Sequence, residues 1–201
     1  MLRAGSEGII MPAILLTPPA VEPVPLADAK HFLRVEHDDD DDLIAALIAS
    51  ARGYVEAQAR RALITQNWRL TRDVWPASGV IPILPVPLQA VTALGVYDAD
   101  GMLQMLDVDH FAVDRASAPA VLRFSRVAMP QPGRPLAGIE IDIVAGYGDN
   151  ADDVPAPLRQ AIRMLVAHWY ENRRIVAASG EAASMPASVA SLVAPYRVVS
   201  L

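Results

Sequence analysis

The chain has 201 residues, 53% of them hydrophobic. A chain of this length buries roughly 70% of its unfolded surface on folding, so it is long enough to build a core of its own. It contains no cysteine, which excludes disulfides, thiolate metal ligands and a cysteine nucleophile. Its 17 basic and 23 acidic residues give a net charge of −6, which argues against a protein that grips nucleic acid through the phosphates.

Residues 1–24 are predicted to form an extended N-terminal arm. The apolar run at residues 8–16 is interrupted by Pro12 and is shorter than the roughly 20 residues that a membrane-spanning helix needs. Residues 15–25, LLTPPAVEPVP, are rich in proline, which is typical of extended chain. We therefore expect no membrane insertion, and an arm that lies on the fold or on a neighbouring molecule.

Five consecutive aspartates, residues 38–42, follow a short predicted helix at residues 25–33. Clustered carboxylates attract divalent cations, but consecutive residues of a helix point around its axis and do not converge on one ion. At a helix N-terminus, one aspartate can cap the first turn while the others interact favourably with the helix dipole. The run therefore favours the start of a helix.

Two long amphipathic helices are predicted, at residues 41–61 and 155–174. In the second helix, apolar residues recur at i, i+3, i+4, i+7, i+8 and i+11 between positions 158 and 169, which places them on one face. Asp152 and Asp153 can cap this helix, and Pro155 and Pro157 are tolerated only in its first turn. Because the first helix has the same spacing, residues 25–65 and 148–175 are expected to form a helical core.

Between the two helices, residues 66–147 change to a periodicity of two and predict a β insertion. About six strands with hairpin-length connections imply an antiparallel sheet. Pro82 restricts the strand at residues 80–84 to a sheet edge or a strand end. Residues 98–101, DADG, predict a hairpin turn, with Gly101 where a positive φ is needed. The clearest strand is IEIDIV, residues 139–144.

Residues 176–201 are predicted to be a flexible linker and a C-terminal docking tail. The linker is rich in alanine, serine and glycine, and a short helix follows at residues 186–193, stopped by Pro195. The last six residues are apolar with one arginine, which suggests that they dock on another surface.

The sequence nominates no catalytic residue, no cofactor-binding residue and no metal ligand. Its histidines, His31, His37, His110 and His168, lie in four different elements and form no H-x-x-x-H pair. His168 and Glu171 stand at i and i+3, a spacing more typical of a hydrogen bond on a helix surface. A carboxylate-dependent metalloenzyme, using residues 38–42 or 149–153, stays open as an alternative.

Several segments carry a resemblance to a known family in their order along the chain. They are VPLADAKHFLRV (24–35), YVEAQARRALITQNWRL (54–70), IPILPVPLQAVTAL (81–94), IDIVAGYGDNADDVPAPLRQAIRMLVAHWYENRR (141–174) and VASLVAPYRV (189–198). In these segments the chain resembles the phage head-tail connector family, with its gp6-like and phiE125 gp8-like branches, as found in phages, prophages and gene transfer agents. The chain departs from its relatives at Ala59 and Arg60, where many of them carry a Thr-Gly pair.

The resemblance implies an α+β structural subunit and not an enzyme. Such connectors are made in the bacterial cytoplasm and form a ring, expected to be a dodecamer, under the portal protein in the neck of the particle. They extend the DNA channel, through which DNA passes without specific binding, and they provide the platform for a stopper or tail-completion protein. An alternative is that the chain is itself another neck or tail-completion protein.

A ring requires two different patches that meet between neighbouring subunits. We expect the ends of the long helices to supply them, because aromatic and arginine residues are favoured at such contacts and an acidic run is available to meet them. The candidate interface residues are Asp38, Asp39, Asp40, Trp169, Tyr170, Arg173 and Arg174. The tail residues Tyr196, Arg197 and Val198 are candidates for docking on the portal.

Overall fold

A computed structural model describes residues 13–125, 129–172 and 186–199, and in it the chain divides into two units. The β unit contains, of the described residues, 13–18, 66–125, 129–145 and 198–199. The helical unit contains 19–65, 146–172 and 186–197. The fold is α+β with antiparallel sheets, as the sequence predicts. Within the described ranges, no helix is both long enough and apolar enough to cross a membrane.

Within the described part of the β unit, eight strands form two sheets. The strands are β1 (Ala13–Thr17), β2 (Gln66–Arg72), β3 (Val80–Ile83), β4 (Leu88–Tyr97), β5 (Leu103–Met105), β6 (Ala112–Asp114), β7 (Ala120–Arg123) and β8 (Ile139–Ala145). The larger sheet has the order β1-β2-β8-β4-β5 and the smaller has the order β3-β7-β6. Every paired strand is antiparallel to its neighbour.

The alternation predicted for residues 139–144 sets the two faces of the larger sheet. Ile139, Ile141 and Ile143 are buried, whereas Glu140 and Asp142 lie on the opposite face. The register places Leu70 opposite Ile141 and Arg69 opposite Asp142 on the neighbouring strand β2. One face of this sheet therefore belongs to the core of the β unit, and the other carries polar side chains.

The structure corrects one prediction for the β unit and adds detail to another. The prediction of one sheet is wrong, because the strands separate into a sheet of five and a sheet of three. Within the predicted N-terminal arm, residues 13–17 form β1, an edge strand that pairs with β2. All five of its side chains are exposed, so it lacks the buried-exposed alternation by which a strand is recognised in a sequence. The prediction from Pro82 is confirmed, since β3 lies at an edge of the smaller sheet.

The helical unit contains four α-helices within the described residues. They are α1 (Leu26–Leu33), α2 (Asp41–Ala59), α3 (Ala156–Glu171) and α4 (Ala187–Val193). The predicted stripe on α3 is buried, with Leu158, Ala161, Ile162, Leu165 and Val166 all at most 1% exposed. These residues pack in one cluster with Ile44, Ile48, Ala51 and Val55 of α2 and with Val189 and Val193 of α4. Burial of the two predicted stripes in one core is thus confirmed.

The predicted aspartate caps are not formed by side chains. Asp40 precedes α2 and Pro155 precedes α3, and neither makes a side-chain hydrogen bond to the helix that follows. The Asp153 carboxylate instead accepts a hydrogen bond from the backbone N–H of Asn150, 2.9 Å away, within the short 3₁₀ turn at Ala151–Asp153. Asp152 forms an ion pair with Arg159 at 2.5 Å. The acidic residues therefore stabilise the turns before the helices.

Residues 146–148, which follow β8, pair with residues 63–65 inside the helical unit. The N–H of Tyr147 donates to the carbonyl of Leu63 at 3.1 Å, and the N–H of Thr65 donates to the carbonyl of Gly148 at 3.0 Å. Gly146 has φ +141°, and a Cβ there would lie 2.6 Å from the backbone of Ile64. A glycine is therefore required at position 146, both by its backbone conformation and by the close approach of the paired chain.

Candidate assembly interface

The acidic run at residues 38–42 is placed at the N-terminus of α2, as predicted. The side chains of Asp38 and Asp39 are 88% and 94% exposed. The Lys30 ammonium of α1 lies 2.5 Å from Asp38 and 2.6 Å from Asp41. Its hydrogen bond holds the pKa of Asp38 below the ordinary value for an aspartate. Lys30 thus engages two carboxylates of the run, whereas the side chain of Asp39 is almost fully exposed.

In the part of the chain that the structure describes, no group of three or more histidine, aspartate or glutamate side chains is arranged to hold a metal ion. The aspartates of the run point in different directions around the start of α2. For example, Asp38 is paired with Lys30, while Asp40 accepts a hydrogen bond from Tyr170.

The aromatic candidates on α3 make their contacts within the chain. The hydroxyl of Tyr170 donates to the carboxylate of Asp40. Trp169 packs edge-on against Tyr54 of α2, with the ring centroids 6.1 Å apart and the planes at 89°. The sequence analysis placed Trp169 and Tyr170 opposite the acidic run of a neighbouring subunit, and the structure brings Tyr170 to the acidic run of its own chain. Arg173 and Arg174 lie outside the described residues.

Two further arginines join the helices of this unit to each other and to the preceding chain. Arg163 of α3 is paired with Asp28 of α1 at 2.5 Å. Arg52 of α2 lies 2.8 Å from Glu22 and 2.9 Å from Glu56, the latter one helical turn away. Glu56 also accepts a hydrogen bond from the N–H of Leu63 at 2.8 Å, which fixes the chain after α2. These charges are engaged in holding the subunit together.

The C-terminal candidates differ in their exposure. The carbonyl of Tyr196 accepts a hydrogen bond from Nε of Arg61 at 2.6 Å, and Val198 is only 6% exposed. Arg197 is exposed and borders a shallow pocket of about 140 Å³ that Tyr54, Gln58, Ala190 and Val193 also line. Of the three tail candidates, Arg197 is therefore the most exposed, Tyr196 is partly buried and Val198 is buried.

A polar cluster on the face of the larger sheet that carries Glu140 and Asp142 was missed by the sequence analysis. Arg69 makes two hydrogen bonds to Asp142, of 2.7 and 2.8 Å, and lies 3.0 Å from Glu140. The Tyr97 hydroxyl donates to Glu140 at 3.1 Å, and the Arg134 guanidinium stacks 3.4 Å from the centre of the Tyr97 ring. The acidic positions of IEIDIV signalled this face, but finding the partners of Glu140 and Asp142 required the strand register.

Comparisons with known proteins agree with the resemblance. The model of the phage gp6-like head-tail connector protein family matches residues 24–102. The fold is similar to a chain in the neck of an empty gene transfer agent particle computed with C6 symmetry, with a TM-score of 0.80 and 24% identity over 95% of this chain and 97% of that chain. A chain in the neck of a native gene transfer agent particle computed with C12 symmetry gives a TM-score of 0.74 and 26% identity over 94% and 97%.

A third similar chain comes from the virion of a native gene transfer agent particle. It gives a TM-score of 0.79 and 24% identity over 94% of this chain and 96% of that chain. No curated protein sequence matches the chain. The resemblance to the head-tail connector family is thereby confirmed, and the fold of almost the whole chain is one found in particle necks.

Proposed function

We propose that the chain is a head-tail connector subunit of a phage or phage-like particle, located in the neck, where copies of it form a ring. The observation that carries this proposal is the combination of the connector-family match at residues 24–102 with a shared fold over 95% of the chain in a particle neck. The similar chains belong to necks computed with cyclic symmetry, and the similarity covers nearly the full length of this chain. This chain is therefore suited to assembly into a ring.

The role is structural. A connector needs a stable subunit that presents the same surfaces on every copy, and both units have a buried core of their own. The net charge of −6 supports a channel wall along which DNA slides, because a basic wall would bind the phosphates and hold them. We propose that the ring is a dodecamer on the portal protein, and that its other side carries a stopper or tail-completion protein.

The surfaces proposed for these contacts are those that remain exposed in the subunit. At the start of α2 they are Asp38 and Asp39, and near the C-terminus they include Arg197. The other candidates support the interface indirectly, because they fix the backbone next to the exposed residues. They are Asp40, Trp169, Tyr170, Tyr196 and Val198. Arg173 and Arg174, which follow α3, stay in the proposal as basic partners for the acidic run.

The proposal is tested by light scattering and electron microscopy of the purified chain, alone and mixed with the portal protein of its particle. We expect a ring-sized species, formed alone or on the portal. A chain that stays monomeric at high concentration and ignores the portal would contradict the connector role. A stopper would instead bind a preformed connector ring.

The acidic surface is tested in the same assay with Asp38→Lys plus Asp39→Lys. We expect weaker ring formation, with the circular dichroism spectrum of the subunit unchanged. The control is Asp149→Lys, because Asp149 is exposed and lies outside both the acidic run and the edge strands of the larger sheet. Equal assembly of both variants would remove the acidic run from the interface.

A further inference from the structure

The larger sheet is open at both ends. Its outer strands are β1 and β5, and among the described residues no strand pairs with the outer edge of either. Both carry large apolar side chains in solvent: Ile14 is 53% exposed, Leu16 is 45% exposed and Met105 is 60% exposed. Neither strand contains a proline or a charged residue. An unprotected edge of this kind is a template for pairing with another strand.

The edges of the smaller sheet are built differently. On one edge, Pro82 of β3 has no N–H to offer to an added strand. On the other edge, β6 ends in Asp114, whose carboxylate is exposed and accepts hydrogen bonds from the Ser117 hydroxyl and the Ala116 N–H. Proline and charge are the usual devices that stop edge pairing. These devices are present on the edge strands of the smaller sheet and absent from the edge strands of the larger sheet, β1 and β5.

We infer that β1 of one subunit pairs with β5 of the next around the ring, with a second copy of this chain as the occupant of each edge. This inference rests on the proposed ring assembly. Cyclic assembly needs two different patches on every copy, each satisfied by the other patch on a neighbour. The two open edges of the larger sheet are such a pair, and pairing them leaves no edge of that sheet exposed in a closed ring.

The directions of β1 and β5 are compatible with a ring in which neighbouring copies are related by a rotation. The five strands of the larger sheet alternate in direction, so the first and the fifth, β1 and β5, point the same way. A rotation about an axis along the strands preserves that direction, so it brings β5 of one copy beside β1 of the next as a parallel pair. A parallel pair has no need of a connecting turn when its strands belong to different chains.

The side chains of the two edges also lie on a common face. Ile14 stands opposite Arg69 on β2, and Met105 stands opposite Gly95 on β4. The register through β8 places Arg69, Asp142, Glu140 and Gly95 on one side of the sheet. Ile14, Leu103 and Met105 therefore project from the same side, where they would meet across the new strand pair and leave water together.

The absence of cysteine makes a cross-linking test unambiguous. Two variants carry one cysteine on each edge: Ile14→Cys with Leu103→Cys, and Ile14→Cys with Met105→Cys. Three strands separate the two edges within one chain, a span of about 19 Å that no disulfide can bridge. Oxidised rings, assembled alone or on the portal, are expected to give a ladder of covalent oligomers on a denaturing gel that collapses to monomer on reduction.

The matched control is Ile14→Cys with Val74→Cys, since Val74 is 64% exposed but lies outside the strands. We expect no ladder from it. Rings that are visible in micrographs but give no ladder with either edge pair would overturn the strand pairing and leave the connector role standing. A chain that forms no ring under any condition would overturn both. A disulfide to the portal protein in place of the ladder would assign the edge to the portal and overturn the inference.

A charge variant of each edge gives an independent readout. Ile14→Lys and Met105→Lys should each prevent ring closure, whereas Val74→Lys should not. Mixed in equal amounts, the two edge variants retain one intact β1 and one intact β5 between them, so they should stop at a dimer of one copy of each. Normal rings from both single variants would contradict the pairing.

Discussion

The hydroxyl of Tyr170, in the last turn of α3, donates a hydrogen bond to the carboxylate of Asp40, the residue that precedes α2. The two residues are 130 positions apart in the sequence. Their contact joins the end of one long helix to the start of the other, and it is made before any subunit meets a neighbour. It therefore contributes to the stability of the subunit, and it orients the exposed aspartates beside it.

We predict that Tyr170→Phe lowers the free energy of unfolding by about 1.5–3 kcal/mol, the usual range for a hydrogen bond to a charged group. Because Tyr170 and Asp40 each take part in another interaction, the pair is best measured as a double-mutant cycle with Asp40→Asn in urea. We expect a coupling energy of about 1 kcal/mol. Additive effects of the two substitutions would show that the hydrogen bond adds no stability.

The helices could be predicted because each carries its signal locally. Apolar spacing placed α3 within a few residues of its observed ends, and the same was true of α2. The hydrogen bond between Tyr170 and Asp40 was not predictable, because a pattern shows which face of a helix is buried but not which polar residue meets another across helices. The sequence analysis assigned the same residue types to a contact between subunits.

A second prediction concerns Gly146, which has a positive φ and lies against the backbone of Ile64. Gly146→Ala should lower the free energy of unfolding by at least about 2 kcal/mol, because a Cβ both strains the backbone and overlaps atoms that cannot move aside. The measurement is the urea midpoint by circular dichroism.

Gly53→Ala is the control for this prediction. Gly53 lies inside α2, is exposed, and a Cβ there would meet nothing within 4 Å. Alanine should stabilise this position by up to about 1 kcal/mol, because it favours the helix over the unfolded chain. If Gly146→Ala is as stable as the unmodified chain, or is stabilised as Gly53→Ala is, the tight pairing at Gly146 does not form.

The sheets were predictable in part, for a physical reason. A strand whose side chains alternate between core and solvent, such as β8, can be recognised in the sequence. All side chains of β1 are exposed, so this strand is recognised only by its pairing with β2. The grouping into two sheets and the cluster around Arg69 depend on contacts between distant strands. Register is set by the whole sheet and cannot be read from any one strand.

A third prediction concerns the turn before β5. The pKa of Asp98 lies below its ordinary value, chiefly because the N–H of Met102 donates a hydrogen bond to its carboxylate at 2.9 Å. The Gln104 side chain also donates, at 3.1 Å. A carboxyl group whose pKa falls on folding stabilises the folded state above its unfolded pKa of about 3.9, and this stabilisation is lost as the pH falls through the lower folded value.

Asp98→Ala should therefore loosen the hairpin at pH 7, seen as faster hydrogen exchange at the Met102 amide. The difference from the unmodified chain should shrink as the pH falls from the unfolded pKa of about 3.9 towards the lower folded pKa, below which Asp98 is protonated in both states. Asp100→Ala is the control, since the turn uses the backbone N–H of Asp100. Equal protection of Met102 in all three proteins at pH 7 would contradict the role of Asp98.

The last prediction concerns the end of α2, at Arg60. Helix α2 ends at Ala59, and Arg60 adopts the left-handed conformation with φ +56°. An L-residue pays roughly 1–2 kcal/mol for this conformation, whereas glycine adopts it freely. Arg60 also makes an interaction through its side chain or backbone, so replacing it with glycine alone would combine two effects.

The clean comparison is therefore Arg60→Gly against Arg60→Ala, in which the arginine side chain is absent from both. Glycine should be more stable than alanine at position 60 by about 1 kcal/mol in urea denaturation. At Ala57, which is exposed within the same helix, the order should reverse, and Ala57→Gly should cost about 1 kcal/mol. If glycine is the less stable residue at both positions, α2 continues past Ala59 in solution and the left-handed end at Arg60 is wrong.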